Sequence, residues 1–361
     1  MYIKSLNILN YRNIKESEIF FSPKINLLVG RNGMGKTNII DAVYYLSFCK
    51  SHINSTDSQL INNQADYFML QGTYGDNSQI SCAVKPGRKK QFLYNKKAYE
   101  KLADHIGKVP LVLVSPADLS LINDGSDQRR RFMDIIISQY DRKYLNALLT
   151  YNATLQSRNA MLKRHEMIDD TMLEVLNDNL CSMADYIFTC RDDFTKQFTP
   201  VFKEFYAKIT SSTETVGLQY CSQLHSQSLD KLLTSYIAKD KTLGYTTVGI
   251  HKDDLEMKLN DFMIKRNGSQ GQNKSFLVAM KLAQFVFLKK VSHKTPILLL
   301  DDLFDKLDAQ RVANIIKEIS TDDFGQIFIS DTNREHIDSV INKHLDTYKS
   351  FYIENGSIAE S

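Results

Sequence analysis

The chain has 361 residues, 43% hydrophobic and 24% charged, enough for about two domains and a large core that needs no disulfide or metal staple. This composition excludes a disordered tail protein, a collagen and a disulfide miniprotein. Lys and Arg total 45 against 42 Asp and Glu, a net charge of +3 too even to demonstrate a polyanionic partner, although a local basic face can form on a nearly neutral protein.

The first third reads as strands. Met1–Leu9 alternates, and Ile25–Val29 is a short apolar run ended by Gly30, as in a buried central strand. A helix is expected over Thr37–Phe48, then hairpin strands over Tyr67–Tyr74, Gln79–Val84 and Gln91–Tyr94, broken at Gly75-Asp76-Asn77 and Pro86-Gly87. Gln128–Lys163 reads as one long helix, and Met172–Ala207 as another broken only by Pro200. Strand character returns at Thr246–Ile250 and Leu255–Leu259. A helix over Asn273–Lys290, a strand over Ile297–Leu300, a helix over Ala309–Ile319 and a strand over Gln326–Ser330 then alternate as in a parallel α/β sheet. The five cysteines (Cys49, Cys82, Cys181, Cys190, Cys221) have neither zinc-ribbon nor redox-pair spacing, so reduced thiols are expected. The N-terminus lacks a signal core and no apolar stretch approaches ~18 residues, so the expected location is cytoplasmic.

Gly30-Arg31-Asn32-Gly33-Met34-Gly35-Lys36-Thr37 fits the pattern G-x-x-x-x-G-K-[ST], between an apolar strand and a helix. Its glycines let the backbone wrap a phosphate, with successive N–H groups forming an anion nest at the positive end of the helix. Lys36 is expected to reach the β- and γ-phosphates and Thr37 to ligate Mg²⁺. Ile297–Leu300 ends in Asp301-Asp302, where Asp301 would hold Mg²⁺ and Asp302 would polarise the attacking water, unless one merely caps the next turn. Ser269-Gln270-Gly271-Gln272 opens a helix and reads either as an ordinary N-cap or as a second anion site. One chain cannot easily bring both sites to one γ-phosphate, but two chains placed head to tail can.

Basic residues cluster in one hairpin, Lys85, Arg88, Lys89, Lys90, Lys96 and Lys97, with Phe92, Tyr94 and Tyr99 interleaved. The charges suit nucleic-acid phosphates or a solvated face, and alternation turns the aromatics inward. Arg129, Arg130 and Arg131, a second nucleic-acid candidate, open a helix against its dipole, which fits a bound anion, an acidic partner or an ordinary solvated helix end. His251 precedes Asp253-Asp254 with no second His at ligand spacing, so a hydrogen-bonded structural role is expected.

The phosphate loop, the Ser-Gln-Gly-Gln turn, Asp301-Asp302 and the Asp305–Asp308 loop, in this order, resemble an ABC-type ATPase. More narrowly the chain resembles the bacterial RecF family over nearly its whole length. Asn10-Tyr11-Arg12-Asn13 resembles that family's opening, and Ser115–Leu119 with Arg129-Arg130-Arg131-Phe132-Met133-Asp134 its central block. Tyr151 with Arg158-Asn159-Ala160-Met161-Leu162-Lys163 resembles its helical segment, and Gly249–Leu255 its G-P-H-R-D-D-L block, with Ile250 for Pro and Lys252 for Arg.

The resemblance implies an α/β head with an inserted, mainly helical lobe and no long coiled coil. Residues 1–112 and 291–361 would form the ATPase lobe and residues 113–290 the second lobe. It implies a weak, DNA-stimulated ATPase that dimerises on ATP, binds duplex DNA beside single-strand gaps, and works with RecR and RecO in RecA loading and the SOS response. Arg12, Asn38 and Asp308 join the expected nucleotide contacts. Asp302 stands where most ABC ATPases carry Glu, which implies slow hydrolysis. Ser330-Asp331-Thr332 lacks the His that ends the switch strand of transporters. That absence, with the Tyr11-Arg12-Asn13 block, argues against a transporter subunit. The interval from Thr37 to Asp301 leaves room for a short arm only, against a cohesin-like rod.

Overall fold

A computed structural model of the chain describes residues 2–53, 56–164, 169–210, 213–303, 308–332 and 348–360. In chain order the elements are β1 (Ile3–Tyr11), β2 (Ile14–Phe20), β3 (Ile25–Val29), α1 (Lys36–Phe48), β4 (Phe68–Tyr74), β5 (Gln79–Val84), β6 (Gln91–Tyr94), β7 (Lys97–Ala98), β8 (Leu111–Val114), α2 (Ser120–Asn123), α3 (Ser126–Ser138), α4 (Arg142–Leu162), α5 (Asp170–Thr210), β9 (Val216–Cys221), α6 (Leu229–Leu243), β10 (Asp254–Leu259), β11 (Phe262–Met263), α7 (Ile264–Asn267), α8 (Gln270–Ser292), β12 (Ile297–Asp301), α9 (Ala309–Ile319), β13 (Ile327–Asp331), β14 (Tyr348–Glu354) and β15 (Ser357–Glu360). None of the described helices is long and apolar enough to cross a membrane.

The chain divides into two units: Met1–Asp118 with Phe205–Ser211 and Lys274–Ser361, and Leu119–Glu204 with Ser212–Asn273. The first unit holds two sheets. In one, ordered β15-β14-β3-β13-β12-β8, all strands but β15 run parallel. Strands β3, β12 and β13 are buried at every position and apolar but for Asn26, Asp301, Ser330 and Asp331, which requires cover on both faces. The other sheet is antiparallel, ordered β2-β1-β4-β5-β6-β7. Tyr11, Tyr45 and Phe68 join α1 to it through edge-to-face contacts, with ring centroids 5.0 to 6.4 Å apart.

Helix α8 starts in the second unit but clusters with the first from Lys274 onward, whereas the sequence reading placed residues 113–290 together in the second lobe. The physical reason is burial: Ser275–Phe285 is buried on every side, as in a core helix. Tyr206 packs on Phe276 and Phe285 stacks on Phe324 at 4.5 Å. The one ammonium on this buried stretch, Lys281, pairs with Asp118 at 2.8 Å.

The second unit packs helices against the antiparallel sheet β11-β10-β9. The long helix expected over Gln128–Lys163 is two, α3 and α4, because Asp141 accepts from the Tyr144 amide at 2.9 Å and caps a new start. Conversely, Pro200 does not break α5. Phe194, Phe198 and Phe202 are all buried, and their packing offsets the hydrogen bond lost at Pro200. Thr246–Ile250 is not a strand: Gly249 holds a φ of +114°, and the chain turns into a short 3₁₀ segment at Ile250–Lys252.

Candidate functional site

The phosphate loop joins β3 to α1 as its spacing predicts. Gly30 passes so close to β14 that a Cβ would lie 2.3 Å from the Ile353 carbonyl oxygen, and Gly33 and Gly35 hold φ of +79° and +119°. Only glycine accepts both constraints. At the start of α1 the amides of Lys36 and Thr37 have no intrahelical acceptor, which makes this helix end an anion receptor. The Lys36 side chain is 3% exposed, and its ammonium donates to the carbonyls of Gly30 (2.8 Å) and Arg31 (3.2 Å). A buried cation held, among the described residues, by carbonyl dipoles alone suits a polyphosphate group.

Beside it stand the residues at the tip of β12. Asp301 is 4% exposed; its Oδ1 accepts from Thr37 Oγ1 at 3.2 Å and from Ser330 Oγ at 2.6 Å. Ser330 Oγ in turn accepts from the Asp302 amide at 2.9 Å. Among the described residues no cationic side chain pairs with Asp301, and a buried carboxylate held by hydroxyls alone suits a divalent cation. Asp302 itself sits at φ +44°, a left-handed conformation rare outside glycine, at the point where the strand ends.

Three residues outside the loop pattern complete the arrangement. Asn13 donates to the Met34 carbonyl at 3.0 Å and accepts from Asn38 at 2.6 Å, so it braces the loop from the β1–β2 hairpin. The Gly356 amide, from the β14–β15 turn, holds the same carbonyl at 2.9 Å. Arg12 holds φ +55°, its amide donates to Leu60 and its carbonyl accepts from Asn62, while its NH1 is buried with no partner among the described residues. An unsatisfied guanidinium nitrogen on the hairpin that braces the phosphate loop suits an anionic ligand. Arg31, Asn32 and Gly33 are exposed at the loop's rim. Periodicity gives no signal for Asn13, Ser330 or the β14–β15 turn; Asn13 and Ser330 stand out only through the family-like blocks Asn10–Asn13 and Ser330–Thr332.

In the second unit, Ser269 and Gln272 cap α8 reciprocally: the Ser269 amide donates to Gln272 Oε1 at 2.8 Å, and the Gln272 amide to Ser269 Oγ at 3.2 Å. The Gln272 side-chain Nε2 also donates to Glu214 at 2.6 Å, a contact the sequence did not signal. Ser269 and Gln270 are exposed and Gly271 is half-buried, so the turn is open to solvent. Asp308 caps α9, accepting from the Arg311 amide at 2.9 Å; residues 305–307, three of the four in the Asp305–Asp308 loop, lie outside the described residues.

Of the basic candidates, Lys85, Arg88, Lys89, Lys96 and Lys97 are exposed, and Phe92 is buried. Lys90 is withdrawn from the free set: it pairs with Asp57 and donates to the Cys49 carbonyl, both at 2.7 Å, over the Tyr45 ring. Arg129 and Arg130 are also engaged. Arg129 makes a two-pronged ion pair with Asp254 (2.6 and 3.0 Å), and Arg130 donates to the Asp253 carbonyl at 2.6 Å. The acidic partner their placement called for is therefore intramolecular, supplied by the Gly249–Leu255 block.

Arg191 extends that network to Asp134, Asp253 and the Ile250 carbonyl. The fully buried Arg158 pairs with Asp240 at 2.9 Å. His251 is held between the Tyr151 hydroxyl (2.9 Å) and the Thr246 carbonyl (3.1 Å), the structural role its spacing suggested. Lys252 lies over the Tyr245 ring.

A model of the AAA ATPase domain matches residues 1–109. The DNA replication and repair protein RecF of Parabacteroides distasonis is 52% identical over 99% of this chain and 99% of its own length. That of Phocaeicola vulgatus is 50% identical over 100% and 98%. The solved structure of a recombination mediator protein RecF with ATP, of the RecFOR pathway, superposes with a TM-score of 0.89 at 26% identity, covering 100% of this chain and 97% of that one. The Smc head domain from Pyrococcus furiosus, at 18% identity and a TM-score of 0.59, shares the fold. With half of its residues identical to such relatives along the full length of both, and with an ABC-type ATPase head as its fold, the chain belongs to the RecF family of DNA replication and repair proteins.

Proposed function

We propose that this ATPase is an ATP-driven clamp on DNA. Gly30–Thr37, Asn38 and Arg12 would hold the triphosphate of one chain, while Ser269, Gln270, Gly271 and Gln272 of a second copy close over it, with Asp308 near the shared nucleotide. Thr37 and Asp301 would hold Mg²⁺, which neutralises phosphate charge when bound. Lys36 would stabilise the transferring phosphate. Asp302 would orient the attacking water, its carboxylate aimed by the left-handed turn and the Ser330 bond to its amide. The side chain is one methylene shorter than the Glu common in such sites, and slow hydrolysis that times release follows from that.

The observations that support this reading are a buried ammonium at the phosphate loop and, at Ser269, a reciprocally capped helix start open to solvent. DNA is the proposed load, held in part by Arg88, Lys89, Lys96 and Lys97, all exposed on one hairpin region. Family membership supports duplex DNA at single-strand gaps as the target and RecR and RecO as partners. Sizing the protein with and without ATP and Mg²⁺, then with gapped DNA, tests the reading. A dimer and tighter DNA binding that appear together with ATP are expected; no change in either refutes it.

A further inference from the structure

We propose that the outer edge of β9 docks an extended, acidic peptide segment of a partner protein, which adds to the sheet as a fourth strand. Strand β9 is outermost in the order β11-β10-β9. The Asn260 amide donates to the Thr215 carbonyl at 2.8 Å, which fixes the phase of the antiparallel ladder. Thr215, Gly217, Gln219 and Cys221 turn their backbone groups toward β10. Val216, Leu218 and Tyr220 turn theirs outward, and Leu218 and Tyr220 line a groove of about 570 Å³.

Edge strands are normally guarded by shortness, proline or charge. The opposite edge, β11, is two residues long. Strand β9 has six, Val-Gly-Leu-Gln-Tyr-Cys, with neither proline nor charge, and a Cβ on Gly217 would meet nothing within 4 Å. Helix α5 forms the other wall of the groove, which hinders flat pairing with another sheet but admits a single strand.

The chemistry of that wall selects the occupant. The Thr195 and Thr199 hydroxyls are turned back on helix carbonyls at 2.8 and 2.6 Å. Asp192 is engaged by Lys196 at 2.6 Å and by His225 at 3.4 Å. The Lys203 ammonium has no partner among the described residues, so the unanswered charge in the groove is positive. Pro200 has no N–H to give the Lys196 carbonyl, which leaves an acceptor on the same wall. Main-chain bonds from β9 would supply affinity, and a carboxylate on Lys203 would supply selectivity.

The test uses the full chain and two labelled hexapeptides, one alternating valine with aspartate and one alternating valine with lysine. The acidic peptide is expected to slow hydrogen exchange at the Leu218 and Tyr220 amides at least tenfold, and the basic one to leave them unchanged. Leu218→Pro removes an outward amide without touching the β9–β10 ladder and should weaken the acidic peptide at least tenfold. Lys203→Glu should do the same, and it keeps the test decisive if the proline variant does not fold. Equal binding of both peptides overturns the proposal. So does exchange already slow in the free protein, no protection at millimolar peptide, or protection of the same amides by a single-stranded oligonucleotide, which would make the groove a nucleic-acid site.

Discussion

The Tyr11 hydroxyl donates to Asp41 Oδ2 at 2.7 Å, tying the strand that ends beside Arg12 to the helix that begins at Lys36. Asp41 also accepts from the Ser51 hydroxyl, the His52 amide and the His52 ring, so one buried carboxylate gathers four donors. Burial pushes its pKa up, but the bonds and charge of His52 and the Tyr11 bond outweigh burial and hold it below the usual carboxylate value. Tyr11→Phe removes one of these donors without changing shape. It should cost about 1–2 kcal/mol in urea unfolding and weaken ATP binding several-fold by loosening the Arg12 turn. Stability that falls while ATP affinity stays at the parent value would show that Tyr11 only holds the fold.

Much of the site is legible in the sequence because its chemistry is local. A glycine loop between an apolar strand and a helix, and two aspartates ending another such strand, are contiguous patterns. What escaped was made of long-range contacts. Asn13 reaches Met34 across the hairpin, Ser330 reaches Asp301 from a neighbouring strand, and Gly356 reaches the loop from the C-terminal turn. The partner of Arg129 and Arg130 was not legible because Asp253 and Asp254 lie more than 120 residues away in sequence. The break between α3 and α4 was in principle readable from the Asp141 cap, but helical residues on both sides hid it.

Lys36→Ala should reduce ATP affinity by at least tenfold in a fluorescent-nucleotide titration and remove ATP-dependent dimerisation. Asp302→Asn should keep binding near the parent value while slowing phosphate release by at least tenfold, since it removes a carboxylate from the strand tip and keeps its shape. Ser330→Ala separates two roles: it leaves that carboxylate in place but deletes the hydroxyl that links the Asp302 backbone amide to Asp301. An intermediate loss of turnover with unchanged ATP affinity is expected. Full turnover in the Asp302 variant would remove that residue from the mechanism.

Each unit contains a buried histidine kept neutral. His105 lies under Phe92 and bonds the Leu46 carbonyl at 2.7 Å, and His251 sits between Tyr151 and Thr246. Burial pushes both down to about 4. For a base whose folded pKa is depressed, the unfolded chain binds more protons between that value and about 6.5. Stability is therefore full above about pH 6.5 and is lost as pH falls toward 4. The loss should be on the order of 2–3 kcal/mol per histidine as an upper bound. His105→Gln should flatten the stability profile between pH 7 and 4.5, read by urea midpoints at each pH. An unchanged slope would mean that His105 titrates normally.

Glu214 presents a carboxylate to the same Gln272 that completes the α8 cap, at a helix end that favours negative charge. If a partner's phosphate is to approach this turn, it meets an acidic side chain there first. Glu214→Gln keeps a hydrogen-bond acceptor for Gln272 but removes the charge, so like-charge repulsion of the incoming phosphate falls. ATP-dependent dimerisation should then appear at several-fold lower protein concentration, with the ATP affinity of the monomer unchanged. Ser269→Arg acts in the opposite sense: it breaks the reciprocal cap and fills the exposed turn, so dimers should be lost while monomer ATP binding persists. Sedimentation of both variants across an ATP series reads the two effects. If Ser269→Arg instead abolishes ATP binding by the monomer, the turn serves the nucleotide of its own chain and closure by a second copy is wrong.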